Sequence, residues 1–524
     1  MNVINYFILK IKEKFSRKNI NPYDFKRKRN FNNLKTFDNN FGSDKTRIND
    51  NTWNDLNMDD VFCNIDYTIT TPGEQVLYNI LKNPLFDKAY LIQRGKYINY
   101  FQNNSHKKEE VIKILNSIGR TSKDTTSILC KNINPNPKLK WLVHILPVLL
   151  FINMIIICFI KIKLYIYSLI IIGFINIYTH YNISYLIMEQ IEVIQYLGHT
   201  ISFSYKLGNI LDTELQGYSD ELKKLYSICR IISRKTSIVF KIEGIDIVAD
   251  YINILFLIKE RNYFKLADDI KKFKNDIVRL YMIIGEIDSF VSIGEYRENV
   301  NLFSEPVFKN ENKVLNMSQV YHPLLHRPIK NSFDVKNTSI IITGSNMSGK
   351  STFMRTIGVN SIFAQTIYTC LADKYETSFY KVISSISLND SLINGKSYYL
   401  CEAEAIKRIV HECTGKYSCL AIIDEIFSGT NPIERVGAAI EILNYLDTKN
   451  SIIIASTHDL ELTNMLVNYE PYYFKEDVTK DGLKFDYKIR SGVSNTRNAI
   501  KILDYLGYPK DLILRINKRV GDRV

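Results

Sequence analysis

One short segment constrains the fold of this 524-residue chain more than any other. Residues 344–351 read G-S-N-M-S-G-K-S, which fits the phosphate-loop pattern G-x-x-x-x-G-K-[ST]. The loop follows the apolar run Ser339–Ile342 and precedes an apolar helix. Strand, loop and helix in this order predict a nucleotide site at the end of a parallel α/β sheet.

The residue types of this loop suit phosphate binding. Gly344 and Gly349 let backbone N–H groups wrap the phosphates, and the N-terminus of the following helix adds partial positive charge. Lys350 is expected to reach the β- and γ-phosphates, and the Ser351 hydroxyl is expected to bind Mg²⁺. The other cofactor-binding residues predicted in this segment are Asn346, Met347, Ser348 and Thr352.

A second motif ends in two carboxylates. The apolar run Leu420–Ile423 is followed by Asp424 and Glu425. We predict that Asp424 binds the metal and that Glu425 is the general base that polarises the attacking water. Alone, this pattern also fits a strand that leads into a solvated loop. About seventy residues after a phosphate loop it indicates the hydrolysis site.

A third apolar run, Ile454–Thr457, ends at His458. Ligands of open α/β sheets gather at the carboxyl ends of the strands. We therefore predict that His458 hydrogen-bonds the γ-phosphate, although an isolated histidine is more often structural.

The composition changes along the chain and divides it into segments. Residues 1–50 carry twelve lysines and arginines against five acidic residues, and their densest cluster is residues 26–29. Such a cluster can attract DNA phosphates or anionic lipids, or it can be a solvated tail. The predicted segments are a basic, poorly ordered arm (1–50), a first helical core (51–137), a transmembrane hairpin (138–188), a second helical lever and core part (189–303), the nucleotide-binding domain (304–490) and a C-terminal helical segment (491–524).

The apolar segment 141–188 has the composition of a membrane hairpin. No charged residue occurs from Trp141 to Ile160, and twenty helical residues span about 30 Å, the thickness of a bilayer core. Lys161 and Lys163 interrupt the run before a second uncharged stretch, Leu164–Met188. The alternative is a buried helical pair inside a soluble domain. Ile247–Ile258 is also apolar but is too short to span, and we interpret it as a packed helix.

These motifs resemble those of the MutS family. Thr343–Thr352 is similar to that family's T-G-x-N-M-x-G-K-S-T loop, including its Asn-Met pair, and His322-Pro323 lies upstream as in the family. Asp424–Asn431 resembles D-E-x-x-x-G-T-[SN], and Thr71–Tyr78 resembles the start of the family's core and lever domain. The resemblance covers most of residues 51–515 and is most specific from 320 to 460.

The resemblance implies a fold, cofactors and partners. The fold would be an α/β P-loop NTPase domain of the ABC type, joined to an all-α core and lever region. ATP and Mg²⁺ would be the cofactors, and ATP hydrolysis the reaction. Two chains would form a homodimer through their ATPase domains, with Ser397 reaching the γ-phosphate bound by the partner.

The chain also departs from mismatch-repair MutS proteins. Only about fifty residues precede the core, too few for the family's N-terminal mismatch-recognition domain, and the Gly429–Arg435 run resembles a shorter branch with membrane helices in its core.

Three functions stay open: a dimeric DNA clamp related to mismatch repair or recombination control, a membrane-tethered ATPase with a non-DNA partner, and an ATP-gated scaffold that barely hydrolyses ATP. The hairpin predicts membrane association with the ATPase domain facing the cytosol; a soluble helical pair would instead predict a cytoplasmic or nuclear protein.

Overall fold

The computed structural model of the protein divides into two compact units. The helical unit comprises residues up to 42, 66–79 and 97–295, and the sheet unit comprises residues 43–65, 80–96 and 296–524. The structure describes residues 27–43, 45–130, 136–159, 163–241, 247–344, 348–386, 398–427, 431–479, 482–493, 503 and 507–521.

Helices form all the regular structure that is described up to residue 299. The prediction of a helical region is confirmed. The α-helices are α1 (Phe31–Phe41), α2 (Asp50–Asp55), α3 (Met58–Ile65), α4 (Thr71–Lys82), α5 (Lys88–Asn103), α6 (Ser105–Ile118), α7 (Thr126–Leu129), α8 (Pro137–Phe159), α9 (Lys163–Ile210), α10 (Gln216–Lys241), α11 (Ile247–Phe256), α12 (Ile258–Lys272) and α13 (Lys274–Asn299).

Helix α4 begins at Thr71, with Pro72 in its first turn, where the missing N–H of a proline costs nothing. The N–H groups that precede the helix are bound by a residue far along the chain. Asp288 accepts hydrogen bonds from the backbone N–H of Ile69 (3.0 Å) and of Thr70 (2.8 Å). Burial raises the pKa of Asp288 to about 6. A Cβ on Gly73 would lie 2.0 Å from the Asp288 carboxylate, so only glycine fits here.

The apolar segment folds into helices α8 and α9, which pack against each other. Asn153 donates a hydrogen bond to Ser168 Oγ (2.6 Å) across the pair. Both helices are long and apolar enough to cross a membrane, yet only 22% of the most apolar 18-residue window of each is buried. A core helix of a soluble domain is instead mostly buried, so the exposed apolar surface distinguishes these helices from ordinary core helices.

The apolar run Ile247–Ile258 is two helices and not one. Leu257, whose φ is +49°, interrupts the helix between α11 and α12. Asn253 Oδ1 accepts a hydrogen bond from the backbone N–H of Lys259 (2.9 Å), which satisfies a donor at the start of α12. Leu257 is 0% exposed, so the prediction of a packed segment is correct at this residue. The prediction of one continuous helix is wrong.

The basic arm is partly ordered. The prediction of poor order for residues 1–50 is wrong for α1, whose Leu34 and Phe37 are buried. Arg27 and Arg29 also pair with buried Asp66 (for Arg29, Nε–Oδ2 2.9 Å). Two of the four cations in the 26–29 cluster therefore have carboxylate partners within the fold. Residues 1–26 lie outside the described residues.

The sheet unit contains a six-stranded sheet in the order β10-β9-β4-β8-β7-β6 and a four-stranded sheet in the order β1-β5-β2-β3. In the larger sheet, every neighbouring pair except the antiparallel β9 and β10 is parallel. The strands are β1 (Val307–Phe308), β2 (Val314–Val320), β3 (Asn331–Lys336), β4 (Ser339–Thr343), β5 (Lys374–Thr377), β6 (Lys381–Ser385), β7 (Cys419–Asp424), β8 (Ile452–Thr457), β9 (Tyr469–Thr479) and β10 (Gly482–Ser491).

Helices cover the central strands of the larger sheet. Strands β4 and β8 are buried along their whole length, as strands with both faces covered must be. Their carboxyl ends, together with that of β7, meet at one edge of the sheet. The helices of this region are α14 (Lys350–Thr366), α15 (Tyr398–Cys413), α16 (Pro432–Asp447), α17 (Leu460–Met465) and α18 (Lys510–Gly521).

Helices α2 and α3 belong to the sheet unit, although the sequence places them in a separate helical core. Asp55 accepts hydrogen bonds from Ser384 Oγ (2.7 Å) and from the backbone N–H of Ile386 (3.1 Å). Its carbonyl oxygen accepts a hydrogen bond from Arg355 Nε (2.7 Å) on α14. The helix that follows the phosphate loop is thus fastened to a segment some three hundred residues earlier in the chain.

Candidate functional site

The phosphate loop lies between β4 and α14, as its motif predicts. Gly344 has a φ of +143° and Gly349 a φ of +103°, conformations that other residues rarely adopt. A Cβ on Gly344 would lie 3.0 Å from Ser348 Oγ, and one on Gly349 would lie 3.1 Å from the Tyr487 ring. Both glycines are therefore required by backbone geometry and by space. Asn346 and Met347 lie outside the described residues.

Lys350 is the first residue of α14 and is 4% exposed. Its Nζ donates a hydrogen bond to the carbonyl oxygen of Gly344 (2.6 Å), which folds the side chain back over the loop. Burial lowers the pKa of Lys350, and the nearby carboxylates of Asp424, Glu425 and Glu476 oppose this effect. A cation held in this way is poised for an anionic ligand at the helix N-terminus.

Asp424, at the end of β7, joins the loop to the neighbouring strand. It accepts hydrogen bonds from Ser351 Oγ and from Ser456 Oγ, and Ser456 is its register partner on β8. The predicted metal pair, Ser351 and Asp424, is therefore in direct contact. A hydroxyl and a carboxylate are the hard oxygen ligands that Mg²⁺ prefers.

The two oxygen ligands Ser351 and Asp424 suit Mg²⁺, which also takes ligands from phosphates and water, better than a metal whose ligands all come from the protein. Among the residues that the structure describes, no group of three or more His, Cys, Asp or Glu side chains is placed to hold a metal. Mg²⁺ in nucleotide sites uses one or two protein oxygens and completes its shell with phosphates and water. Ser351 and Asp424 are the residues that would hold it.

Glu425 and His458 are joined by a side-chain hydrogen bond. His458 Nε2 lies 2.5 Å from Glu425 Oε1, and the two side chains are 39% and 37% exposed. The hydrogen bond from His458 lowers the pKa of Glu425. Glu425 has a φ of +54°, and its backbone N–H donates a hydrogen bond to Ser456 Oγ (3.2 Å). The carboxylate is therefore held without a proton and at a strained backbone position, as a group that accepts a proton must be unprotonated at the start.

Glu425 borders a cavity of about 590 Å³ in the sheet unit, whereas His458 is not among the residues that line it. The volume is in the range of cofactor pockets. Lys350, Ser351, Thr352, Asp424 and Glu425 line one part of it. Sequence reasoning missed the other lining residues, which are Val320, Tyr321, His322, Leu325, Arg327, Ile329, Asn331, Phe353, Thr356, Phe474 and Tyr487.

Tyr487 is the most informative of the residues that were missed. Its ring packs on Gly349 of the phosphate loop, its φ is +53°, and it lies in the irregular part of β10 between Phe485 and Ile489. Its carbonyl oxygen accepts a hydrogen bond from Asn331 Nδ2 (3.0 Å), which holds the bulge in place. A half-exposed aromatic ring beside a phosphate loop offers a flat surface to a nucleotide base.

His322 belongs to the His-Pro pair that carried part of the family resemblance. It is 5% exposed, and its Nδ1 accepts a hydrogen bond from the backbone N–H of Leu324 (3.3 Å). Its Nε2 is buried and has no hydrogen-bond partner among the residues that the structure describes. Burial, aided by the positive charge of Arg355, lowers the pKa of His322 to about 4. The imidazole is therefore neutral at physiological pH, and His322 contributes an uncharged polar group to the cavity wall.

An ion pair lies next to the Glu425–His458 contact in the chain. Arg435, near the start of α16, binds Asp459 in a bidentate manner (Nη2–Oδ1 2.9 Å, Nε–Oδ2 3.1 Å). Asp459 directly follows His458, so this pair ties α16 to the end of β8. Ser397, predicted to act across a dimer, lies outside the described residues.

Comparisons with known proteins agree with this geometry. Residues 340–522 match the family described as MutS domain V. The DNA mismatch repair protein MutS of Petrotoga mobilis is 31% identical over 270 residues, which cover 49% of this chain and 33% of that protein. The protein of the same name from Staphylococcus aureus strain JH9 is 28% identical over 267 residues, which cover 48% of this chain and 30% of its own length.

These matches show that residues 340–522 are similar to domain V of MutS and that about half of the chain is similar to DNA mismatch repair proteins MutS. The chain spans about a third of the length of these relatives. The predicted α/β P-loop class is confirmed for the sheet unit, because domain V of MutS is a domain of that class and the mixed sheet is present.

Proposed function

We propose that the sheet unit binds ATP and hydrolyses it in the presence of Mg²⁺. The observation that carries this proposal is the convergence of Lys350, Asp424 and Glu425 on one cavity at the carboxyl ends of parallel strands. Separately, each of these residues has an ordinary structural explanation. Together they supply a phosphate cation, a metal ligand and a base.

Each residue has a distinct role in the proposed reaction. Lys350 exchanges its hydrogen bond with the Gly344 carbonyl for one with the phosphates and neutralises their charge. Ser351 and Asp424 hold Mg²⁺, which supplies charge stabilisation at the phosphates. Glu425 accepts a proton from the attacking water. Tyr487 and Ile329, which also line the cavity, hold the nucleobase.

The structure suggests a second role for His458 beside the predicted contact with the γ-phosphate. In the present arrangement its Nε2 orients the Glu425 carboxylate. The imidazole could turn to the γ-phosphate when nucleotide enters, which would release the carboxylate for catalysis. The Arg435–Asp459 pair would keep the histidine within reach of both groups during this exchange.

We propose that two chains form a homodimer through their ATPase domains, with Ser397 reaching the γ-phosphate at Lys350 of the partner. A γ-phosphate buried at an interface couples hydrolysis to opening and closing, so ATP is expected to tighten the dimer and ADP to loosen it. Mixing Lys350→Ala chains with Ser397→Ala chains tests this arrangement. Some mixed dimers then contain one intact site and one doubly altered site.

The mixture is expected to recover part of the ATPase activity that each variant lacks alone. A Lys350→Ala and Lys350→Ala,Ser397→Ala mixture is the matched control, because it contains no intact site in either arrangement. If mixed dimers are captured by pull-down and no activity returns, either each site is self-contained or both sites of the dimer must be intact for turnover. A monomer in every nucleotide state contradicts the dimer.

DNA is the first candidate for the partner of this ATPase, and its support is the name of the two relatives, DNA mismatch repair protein MutS. A DNA clamp must neutralise phosphates, so its affinity must fall steeply with salt. We expect filter binding to duplex, branched and single-stranded DNA to give a log–log slope of several units between about 50 and 200 mM salt. Binding that is absent at low salt contradicts the clamp.

A membrane-tethered ATPase with a non-DNA partner is the second candidate. One specific observation favours it, namely the large exposed apolar residues along α8 and α9. In this proposal the hairpin lies in the bilayer and the ATPase domain faces the cytosol, where ATP is available. The two candidates are compatible if the DNA-binding surface lies on the same side of the membrane.

A further inference from the structure

We propose that α11 and the first turn of α12 form a shallow membrane wedge, inserted beside the α8–α9 hairpin at the cytosolic boundary of the bilayer. The inference rests on the proposed membrane location of the hairpin and adds a third membrane element to it. In this proposal the exposed face of α11 and of the first turn of α12 contacts a phospholipid bilayer at the boundary between its headgroups and acyl chains. Four observations carry the proposal.

The first observation is the position of the membrane boundary on the hairpin. The Asn153–Ser168 contact places these residues at one level of the two helices. Twelve residues back from Asn153 is Trp141, and twelve residues on from Ser168 is His180. Trp141 is 64% exposed, and so is Tyr181, the neighbour of His180. Exposed aromatic rings at one level mark an interfacial belt.

The second observation is the depth that α11 reaches. Asn176 Nδ2 donates a hydrogen bond to the carbonyl oxygen of Leu255 (2.6 Å), and Gly173 faces the Leu255 side chain. These two residues lie four and seven positions from His180, towards the closed end of the hairpin. At about 1.5 Å per helical residue, the tip of α11 lies roughly 6–10 Å beyond the belt. That is the depth of an interfacial helix.

The third observation is the surface that α11 leaves uncovered. Tyr251 is 65% exposed and Ile252 is 46% exposed, one turn before Leu255. Tyr251 lies about one helical turn, roughly 5.4 Å, from Leu255 along α11. Its apolar ring and polar hydroxyl suit the boundary between headgroups and acyl chains in the same way as those of Tyr181. Helix α11 thus exposes apolar surface next to the hairpin, which it contacts at Leu255.

The fourth observation is the distribution of charge at the start of α12. Glu260 is 0% exposed, where it accepts a hydrogen bond from Ser184 Oγ (2.7 Å) and lies 2.9 Å from His180 Nδ1. An acidic side chain at this level is thus enclosed by the helices and kept from lipid. Lys259 and Arg261 are partly exposed on either side of it. Their long side chains can extend to the headgroups, which limits the wedge to a shallow depth.

Tryptophan quenching by brominated phospholipids tests the wedge in the full chain. The two native tryptophans are Trp53, which is buried and is kept, and Trp141, which is replaced by phenylalanine. Single tryptophans are then introduced as Tyr251→Trp, Tyr178→Trp and Tyr205→Trp, and the emission of the Trp141→Phe background is subtracted. Tyr178 is an exposed residue of the hairpin, and Tyr205 is an exposed residue of α9 about 40 Å further along that helix.

We expect lipids brominated near the headgroup end of the chain to quench Tyr251→Trp to within about twofold of Tyr178→Trp and to leave Tyr205→Trp unquenched. If Tyr178→Trp is quenched and Tyr251→Trp behaves like Tyr205→Trp, the wedge is wrong and the hairpin stands. If neither is quenched, the hairpin and the wedge are both wrong. Quenching of Tyr251→Trp without Tyr178→Trp overturns the hairpin and, with it, the placement of the wedge beside the hairpin. Circular dichroism checks that each variant keeps its helical content.

Discussion

Lys350→Ala is expected to abolish ATP binding, and Glu425→Gln is expected to abolish hydrolysis while ATP stays bound. Lys350 is 4% exposed and lies at the N-terminus of α14, so its loss leaves the phosphates without their nearest cation. Glu425→Gln keeps the phosphate loop and the Ser351–Asp424 pair but removes the base. Loss of a general base lowers turnover by about 10²–10⁴-fold.

The two variants separate binding from chemistry. Equilibrium binding of a fluorescent ATP analogue measures the first, and release of inorganic phosphate measures the second. Lys407→Ala and Glu441→Gln are matched controls, because both side chains are exposed on helices of the same unit. Each control is expected to retain wild-type binding and turnover. Normal turnover in Glu425→Gln would show that another group takes the proton.

Charged substitutions on the hairpin are expected to remove the protein from membranes. Phe151, Ile171 and Phe174 are 57%, 58% and 68% exposed on α8 and α9. Lysine at the centre of a membrane helix costs about 2.5–3.5 kcal/mol by translocon-insertion scales, so three such changes would oppose insertion strongly. On a soluble helical pair, the same three changes would replace exposed apolar surface by charge and would improve solubility.

The test is extraction of cell membranes with alkaline carbonate. The unaltered chain is expected to stay in the pellet, and the triple lysine variant is expected to lose stable insertion. Tyr205→Lys, on the same helix but outside the apolar stretch, is the control and is expected to behave like the unaltered chain. An unaltered chain that is soluble and monodisperse without detergent would show that α8 and α9 are a packed helical pair.

The residues nearest the phosphates could be predicted because their chemistry is local in sequence. A strand end, a tight loop and a helix start place Gly349, Lys350 and Ser351 without help from the rest of the chain. Asp424 and His458 each follow a buried strand, and parallel pairing brings such strand ends to one edge. The direct His458–Glu425 contact was not predicted, because it depends on side-chain orientation at that edge.

The rest of the site depends on contacts between distant segments. Tyr487 reaches Gly349 from an irregular strand more than a hundred residues later, and no pattern around Tyr487 marks it as a nucleotide contact. Arg27 and Arg29 resemble a free basic cluster in the sequence, but buried Asp66 binds both. The N-terminus of α4 is satisfied by Asp288, which lies more than two hundred residues away. Spacing rules do not detect such pairs.

Phosphate release by the purified full chain, measured with Mg²⁺, with EDTA and after Mg²⁺ is restored, tests the central claim most directly. The proposed site predicts hydrolysis with Mg²⁺, its loss with EDTA, its return when the metal is restored, and no release at any stage from Glu425→Gln. Membranes or detergent micelles must be present throughout, with Glu441→Gln as the control. If the unaltered chain binds ATP yet releases no phosphate under any of these conditions, the site is an ATP-gated scaffold and the proposed hydrolase is wrong.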